Sequence, residues 1–359
     1  SKQHFDLYNK IFSSESNCDF LSGKTEYKKK IQILSKLKNN EINIIFGTHA
    51  LFQKKINFKK LGLIIVDEQH KFGVKQRKKL SEKGDSNCDV LVMSATPIPR
   101  TMMMTLYGDM DITLIKSKPK NRKEIKTYTK DVKKIDDVIN FLKKEIANNN
   151  QVFWVCPLIE ESKKLDHTSA IQKFEYLKKL FPKQVSMLHG KTDISEKEEI
   201  LKKFLKREFK ILVSTTIIEV GIDFPNANVI IIENANKFGL SQLHQLRGRV
   251  GRGEKEATCI LMFKSNLSDN AKKRINILKD TNDGFVISEE DMKIRGFGDI
   301  LGFKQSGVKN FKLADPIQNS DLFELAEKEI KRIELENENL SKFKPLIKLY
   351  DRADIINDI

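Results

Sequence analysis

The stretch STTIIEVGIDFPNANVIIIENANKFGLSQLHQLRGRVGRG, residues 214–253, decides how this chain folds. Within it Val229–Glu233 is a short apolar run ending in a carboxylate, which predicts a buried strand. The segment that follows sets Gln245, Arg249 and Arg252 at i, i+4 and i+7, so a helix through them would stack all three on one face. Gly248 and Gly251 fall inside that predicted helix, where each costs about 1 kcal/mol relative to alanine. A basic surface helix has no reason to carry both. Close approach of another surface, with two guanidiniums directed at a phosphate, accounts for them.

On both sides of this stretch short apolar runs alternate with longer amphipathic ones, the pattern of a parallel sheet covered by helices. Strands are expected at 42–46, 62–66 and 89–93 in a first region, and at 151–155, 184–188, 211–214, 229–233 and 258–263 in a second. Between the regions, KSKPKNRKEIKT at 116–127 is basic and broken by Pro119, and reads as the crossing between two α/β lobes. Val132, Ile135, Val138, Ile139, Leu142 and Ile146 recur at helical spacing. Ser195 stands three residues before Glu198, a capping-box pattern that predicts a helix start there. Beyond residue 268, helices are expected at 269–280, 288–294 and 320–340, with the glycine-rich RGFGDILGFKQSG between the last two.

Two further strand ends carry polar groups. LGLIIVDEQHKFG, residues 61–73, runs apolar and then breaks into Asp67, Glu68, Gln69 and His70. Ligands of open α/β sheets gather at the carboxyl ends of strands. A carboxylate there can hold Mg²⁺ through its hydration shell, and a second can orient an attacking water. SATPIPRT, residues 94–101, follows the next strand and offers the hydroxyls of Ser94 and Thr96. Each element alone is also an ordinary polar turn; side by side they become neighbouring strand ends of one site.

Composition sets the outer bounds. The 359 residues, 39% hydrophobic and 32% charged, suffice for two or three folded domains. No apolar run approaches membrane-helix length and no charged-then-apolar leader opens the chain, so a cytoplasmic protein with no membrane partner is expected. Cys18, Cys88, Cys156 and Cys259 lie far apart without a CxxC pair, as free thiols rather than a zinc site would. The net charge of +16 permits a polyanionic partner, but a surface coated with solvated lysines reads the same way.

Taken together, DEQH, SATPIPRT, STTIIEVGIDFP and FGLSQLHQLRGRVGRG resemble motifs II, III, V and VI of superfamily-two helicases. The wording is most similar to the RecG type of bacterial branch-migration helicases, over essentially the whole chain. The resemblance implies an α/β fold of two RecA-like lobes with parallel sheets, ATP between them, and branched duplex DNA (forks and Holliday junctions) as partner of a monomer. It implies that Asp67 holds Mg²⁺, that Glu68 positions the hydrolytic water, and that His70 links nucleotide state to Ser94, Ala95 and Thr96. Gly221, Asp223 and Gln245 would approach the nucleotide, with Arg249 and Arg252 as the arginine fingers. Gly23, Lys24, Thr25, Thr215, Thr216 and Glu219 would lie along the DNA. DGFVISEEDMKIRGFGDILGFKQSG at 283–307 resembles a helical hairpin and loop shared with the transcription-repair coupling factor, which implies translocation roles for Arg274, Arg295 and Gln305. That factor is the nearest rival, but it would usually read DEEH where this chain has Gln69. A passive basic DNA-binding module is the rival from another class.

One departure from the pattern matters. A motor of this kind needs GxxxxGK[ST] to cradle phosphates, and neither GKT tripeptide supplies it, because Cys18 and Val185 stand where the first glycine belongs. The first lobe is therefore expected to be truncated at its amino end. The domains expected are 1–117 and 118–268 for the lobes and 269–359 for the hairpin and last helix. The 359 residues alone should show negligible ATP hydrolysis in a phosphate-release assay with or without DNA; robust DNA-stimulated turnover would contradict the expectation.

Overall fold

Strands built from Gln151–Val155, Ile211–Ser214 and Ala227–Ile232 have almost no polar side chains to offer water, so they are stable only with both faces covered. In the computed structural model every residue of the three is buried. The structure describes residues 1–12, 17–53, 55–67, 88–94, 111–115, 117, 123–157, 163–190, 192–215, 224–295 and 319–336. These fall into two compact units, 1–94 and 111–336.

In the first unit, helix α1 (Lys2–Phe12) precedes strand β1 (Cys18–Leu21), helix α2 (Tyr27–Lys38) and strand β2 (Ile44–Gly47). β1 and β2 pair in parallel, Cys18 opposite Ile44 and Leu21 opposite Gly47. Ile33 and Leu37, one turn apart on α2, bury against Leu21, Ala50 and Ile56, while the lysines of that helix stay at the surface. β3 (Leu63–Val66) and β4 (Asp89–Val92) form a separate parallel pair. Ile64 and Val66 are buried, whereas Leu63 and Ile65 on the other face are exposed. The expected first-lobe strands are thus present but, among the described residues, divided between two small sheets.

In the second unit six described strands form one all-parallel sheet in the order β5-β10-β9-β6-β8-β7. They are β5 (Ile125–Asp131), β6 (Gln151–Val155), β7 (Val185–Leu188), β8 (Ile211–Ser214), β9 (Ala227–Ile232) and β10 (Ala257–Phe263). Period-two alternation divides their side chains between two cores. Val152, Trp154, Ile211, Val213, Val229 and Ile231 pack under α3 (Ile135–Ala147) and α4 (Lys163–Leu180). On the opposite face Phe153, Leu212, Ile230 and Ile232 meet α5 (Ile194–Leu205), α6 (Leu240–Arg247), α7 (Asp269–Asp280) and α8 (Gly284–Arg295). Phe204 is the hub there, its ring 5.2 Å from Phe153, 5.3 Å from Phe209 and 5.4 Å from Phe224. The amide of buried Gln151 donates to the carbonyls of Phe204 (2.6 Å) and Phe209 (3.2 Å), which satisfies the polar group at the start of β6.

Three expectations are corrected. β5 begins in the last three residues of what reads as a basic crossing: an edge strand needs only one well-buried side chain, Ile125, and its charges and hydroxyls conceal it. β1 is likewise absent from the predicted strands. Helix α5 starts after Asp193, two residues before Ser195, so the Ser195–Glu198 pattern lies inside the helix rather than capping it. A last helix, α9, spans Ser320–Leu335.

Phe204→Ala should lower the stability of the second unit by about 3–5 kcal/mol, the usual cost of emptying a fully buried phenylalanine site. Urea unfolding followed by the fluorescence of Trp154, which belongs to this unit, reads the shift.

Candidate nucleotide and nucleic-acid site

Helix α6 organises the candidate residues of the second unit. Gly239 opens it, and Gln242 Oε1 accepts the Gly239 N–H at 3.0 Å. Leu240, Leu243 and Leu246 anchor its apolar face in the core. The helix ends at Arg247, and this corrects the expectation of one continuous helix through Gln245, Arg249 and Arg252. Gly248 is the C-cap: its N–H donates to the His244 carbonyl and the Arg249 N–H to the Leu246 carbonyl, each at 3.0 Å. Gly251 takes φ +71°, a left-handed conformation that glycine adopts at little cost. Gln245 is therefore on the helix, half-buried, while half-buried Arg249 and exposed Arg252 belong to the turn after it. The two glycines end the helix and shape that turn. A Cβ on Gly251 would sit 3.0 Å from Ala257 Cβ and 3.3 Å from Ile125 Cγ1. Close approach thus holds at Gly251 and not at Gly248, and the approaching surface is the chain's own sheet.

The turn has a definite place. Gly251 N–H donates to Ala227 O at 3.3 Å, and Ala227, Ile125 and Ala257 are the first residues of β9, β5 and β10. The arginine turn thus rests on the amino edge of the sheet, and α6 leads to it from the carboxyl edge. At that carboxyl edge Thr215 follows β8, buried, its N–H 3.4 Å from Leu188 O. Ser214 Oγ and Thr215 Oγ1 are buried with no hydrogen-bond partner among the described residues. Thr216, Glu219, Gly221 and Asp223 lie outside the described residues, as do Glu68, His70, Ala95, Thr96 and Gln305.

Arg274 and Arg295 come together at the start of α6. Arg274 Nη1 donates to Phe238 O at 2.9 Å. Arg295 Nε donates to Asp291 Oδ1 at 3.1 Å, and the other Asp291 oxygen accepts from Ser241 Oγ. A Cβ on Gly239 would collide with the Arg295 guanidinium. Arg247 is a residue to which the sequence pointed no role. It is buried, burial pulls its pKa down, and its guanidinium donates to Leu278 O (2.7 Å) and Thr281 O (2.9 Å).

In the first unit, Asp67 and Ser94 leave the carboxyl ends of the paired strands β3 and β4, both exposed. Gly23, Lys24 and Thr25 form a turn after β1, where Thr25 Oγ1 accepts the Ser22 N–H at 2.9 Å. The second GKT repeats this arrangement after β7: Thr192 Oγ1 accepts the His189 N–H at 3.1 Å. In both, the threonine hydroxyl is turned into its own strand-end turn.

A second polar centre, not foreseen, lies at the carboxyl ends of β6 and β9. Glu233 accepts from Trp154 Nε1 (3.3 Å) and Cys156 Sγ (3.4 Å) and pairs with Lys173 Nζ (2.9 Å), whose ammonium lies 5.1 Å from the Trp154 ring centroid. Burial first, and then the Glu233 charge, push the Cys156 thiol up. A groove of about 280 Å³ opens here, lined by Pro157, Gln172, Lys173, Tyr176, Glu233 and Asn234. All four cysteines are free thiols, and no group of three metal-ligating side chains occurs among the described residues. Nor is any described helix long and apolar enough to cross a membrane.

Comparison with known proteins defines the class first. Residues 1–105 match the DEAD/DEAH box helicase family and 133–254 the helicase conserved C-terminal domain, so this is a helicase-core sequence. Residues 281–349 match the family described as ATP-dependent DNA helicase RecG, domain 3, C-terminal. The chain is a homologue of the bacterial RecG helicases. It is 45% identical over 331 residues to ATP-dependent DNA helicase RecG of Thermotoga maritima, covering 92% of this chain and 42% of that protein. To the Bacillus subtilis protein of the same name it is 44% identical over 329 residues, 91% of this chain and 48% of that one. It therefore spans about half the length of the curated relatives it matches. A solved structure of RecG bound to a three-way DNA junction aligns with TM-score 0.68 at 41% identity, covering 90% of this chain and 42% of that one. Yeast Dbp5 bound to RNA and ADP BeF3, at TM-score 0.56 and 17% identity over 82% of this chain and 78% of that one, shares the fold alone.

Gly251→Ala should destabilise the second unit by about 1–3 kcal/mol, because alanine at positive φ is strained and its methyl meets Ala257. Thermal unfolding of the variant against the parent checks it.

Proposed function

We propose that this chain is the motor portion of an ATP-dependent helicase that acts on branched duplex DNA, at forks and Holliday junctions. The observation that carries the reading is the 45% identity to a RecG helicase across 331 residues. A solved structure of RecG bound to a three-way DNA junction, 41% identical to this chain, supports the substrate class. ATP and Mg²⁺ are the cofactors in this reading, and a cytoplasmic monomer the working form; the free thiols agree with a reducing compartment.

The roles follow from charge and position. Exposed Asp67 at the end of β3 suits outer-sphere coordination of Mg²⁺, with Glu68 beside it to orient the attacking water. The metal, when bound, offsets negative charge on the phosphates. Arg249 and Arg252 stand on a turn whose backbone is fixed by Gly248 and Gly251, and a guanidinium held this way stabilises charge that develops on a transferring phosphoryl group. Gln245, Gly221 and Asp223 complete the nucleotide side, and His70 with Ser94, Ala95 and Thr96 couples it to lobe movement. Gly23, Lys24, Thr25, Thr215, Thr216 and Glu219 follow the DNA. Arg274, Arg295 and Gln305 belong to translocation. The functional parts are accordingly 1–117, 118–268 and 269–359.

The test joins this chain to the remaining half of the Bacillus subtilis relative and measures ATP turnover and unwinding on fork and junction DNA. Glu68→Gln should lower turnover on the order of 100-fold or more while leaving DNA affinity unchanged. A passive basic module would instead bind DNA, with salt-sensitive affinity and no turnover in the parent.

A further inference from the structure

Helices α2, α3 and α5 end alike. One residue beyond each C-cap the backbone turns to positive φ, 62° at Asn40 and Asn149 and 61° at Arg207. The next N–H then bonds back to the helix: Glu41 to Lys36 O, Asn150 to Glu145 O and Glu208 to Lys203 O. Glycine or asparagine takes this left-handed place with the least strain. After α5 an arginine holds it, and its guanidinium is fixed in turn, Nη2 donating to Asn226 Oδ1. Two ammonium groups are fixed in the same way nearby. Lys210 Nζ donates to Asn149 Oδ1, and Lys255 Nζ donates to Asn150 Oδ1 at 3.2 Å.

All of these groups stand on the amino edge of the second unit's sheet. Asn149 and Asn150 lead into β6, Arg207 and Lys210 into β8, Asn226 into β9 and Lys255 into β10. The frame beneath them is buried. Asn150, 8% exposed, accepts from Asn228 Nδ2 at 3.1 Å and gives its own amide to Glu145 Oε2 at 2.7 Å. Among the described residues the three cations donate only to neutral amide and carbonyl oxygens, so their charge is held in place without being cancelled. Lys126, on the same edge, is cancelled by Glu256. Exposed Lys206 and Arg252 offset Glu208 and Glu254, which leaves the edge with a net positive charge. Cations spread along an edge, rather than converging on a pocket, suit an extended polyanion better than a single phosphate, and backbone contacts of that kind need no base-reading groups.

We propose that this amino edge is a second nucleic-acid surface, where Arg207, Lys210 and Lys255 hold the phosphate backbone of duplex DNA, at the opposite end of the strands from Thr215. The proposal rests on the functional reading above for DNA as the partner, but its test needs no ATP. Binding of a labelled three-way junction to the 359-residue chain is measured as salt is raised. Changing Arg207, Lys210 and Lys255 together to Gln should weaken binding roughly tenfold at low salt and make the log–log salt slope shallower by about 2–3. Changing Lys55, Lys59 and Lys60, three exposed lysines of the first unit, to Gln removes the same charge and should shift affinity by less than about twofold. Equal losses from the two sets, an unchanged slope, or a parent that binds no junction overturns the proposal. Acylation of lysines on the unaltered chain gives a second readout that does not depend on how the variants fold. Junction DNA should slow acylation of Lys210 and Lys255 severalfold and leave Lys55 unchanged. Protection by polyglutamate and not by DNA overturns the proposal in favour of an acidic protein partner. A joined helicase that hydrolyses no ATP condemns the motor reading instead, and these binding results stand apart from it.

Discussion

Burial of both faces of the central strands β6, β8 and β9 is the constraint on which the second unit depends. With every residue of those strands covered, no polar function can project from the body of the sheet, and chemistry is confined to its two edges and to the helices across it. The edges are then used differently. Thr215, Glu233 and the Arg274–Phe238 link stand at the carboxyl edge, while the turn bearing Arg249 and Arg252 rests on the first residues of β5, β9 and β10. Helix α6, eight residues long, connects the two.

Charge inside this unit is handled by saturation. Glu233 is ringed by an indole N–H, a thiol and an ammonium, and Lys173 in turn lies over aromatic faces of Trp154 and Tyr176. Arg247 is held by carbonyls at a helix end. In both places the low local dielectric strengthens each bond made and raises the cost of leaving one unmade, which fixes the geometry of the elements that supply the partners. Surface pairs such as Lys126–Glu256, open to water on both sides, have no such leverage.

Much of the candidate site could be read from residues because strand ends announce themselves. An apolar run cannot continue into Asp67 without leaving the core, nor ILVS into the polar residues after it, and the strands end at Val66 and Ser214 accordingly. The arginine segment was read less well. Spacing of i, i+4 and i+7 states only that a helix would align Gln245, Arg249 and Arg252; it does not state that the helix continues. The stop signal was present, a glycine directly after a basic last turn and a second glycine three residues on. Arg247 gave no local signal, since its acceptors lie 31 and 34 residues further along the chain. A longer separation in sequence, 77 to 79 residues, hid Glu233 from Cys156 and Trp154.

By itself the sequence determined the class of fold, the alternation of strands with helices, and the identity of the polar groups at the strand ends. Those depend on hydrophobic period and on short motifs, and both are properties of neighbours along the chain. Only the tertiary structure decided that β5 joins the sheet beside β10 and that the Arg247 guanidinium reaches the end of α7. Each of these turns on a hydrogen bond or a contact between residues far apart in sequence, whose energy exists only once the sheet has brought them within a few ångströms.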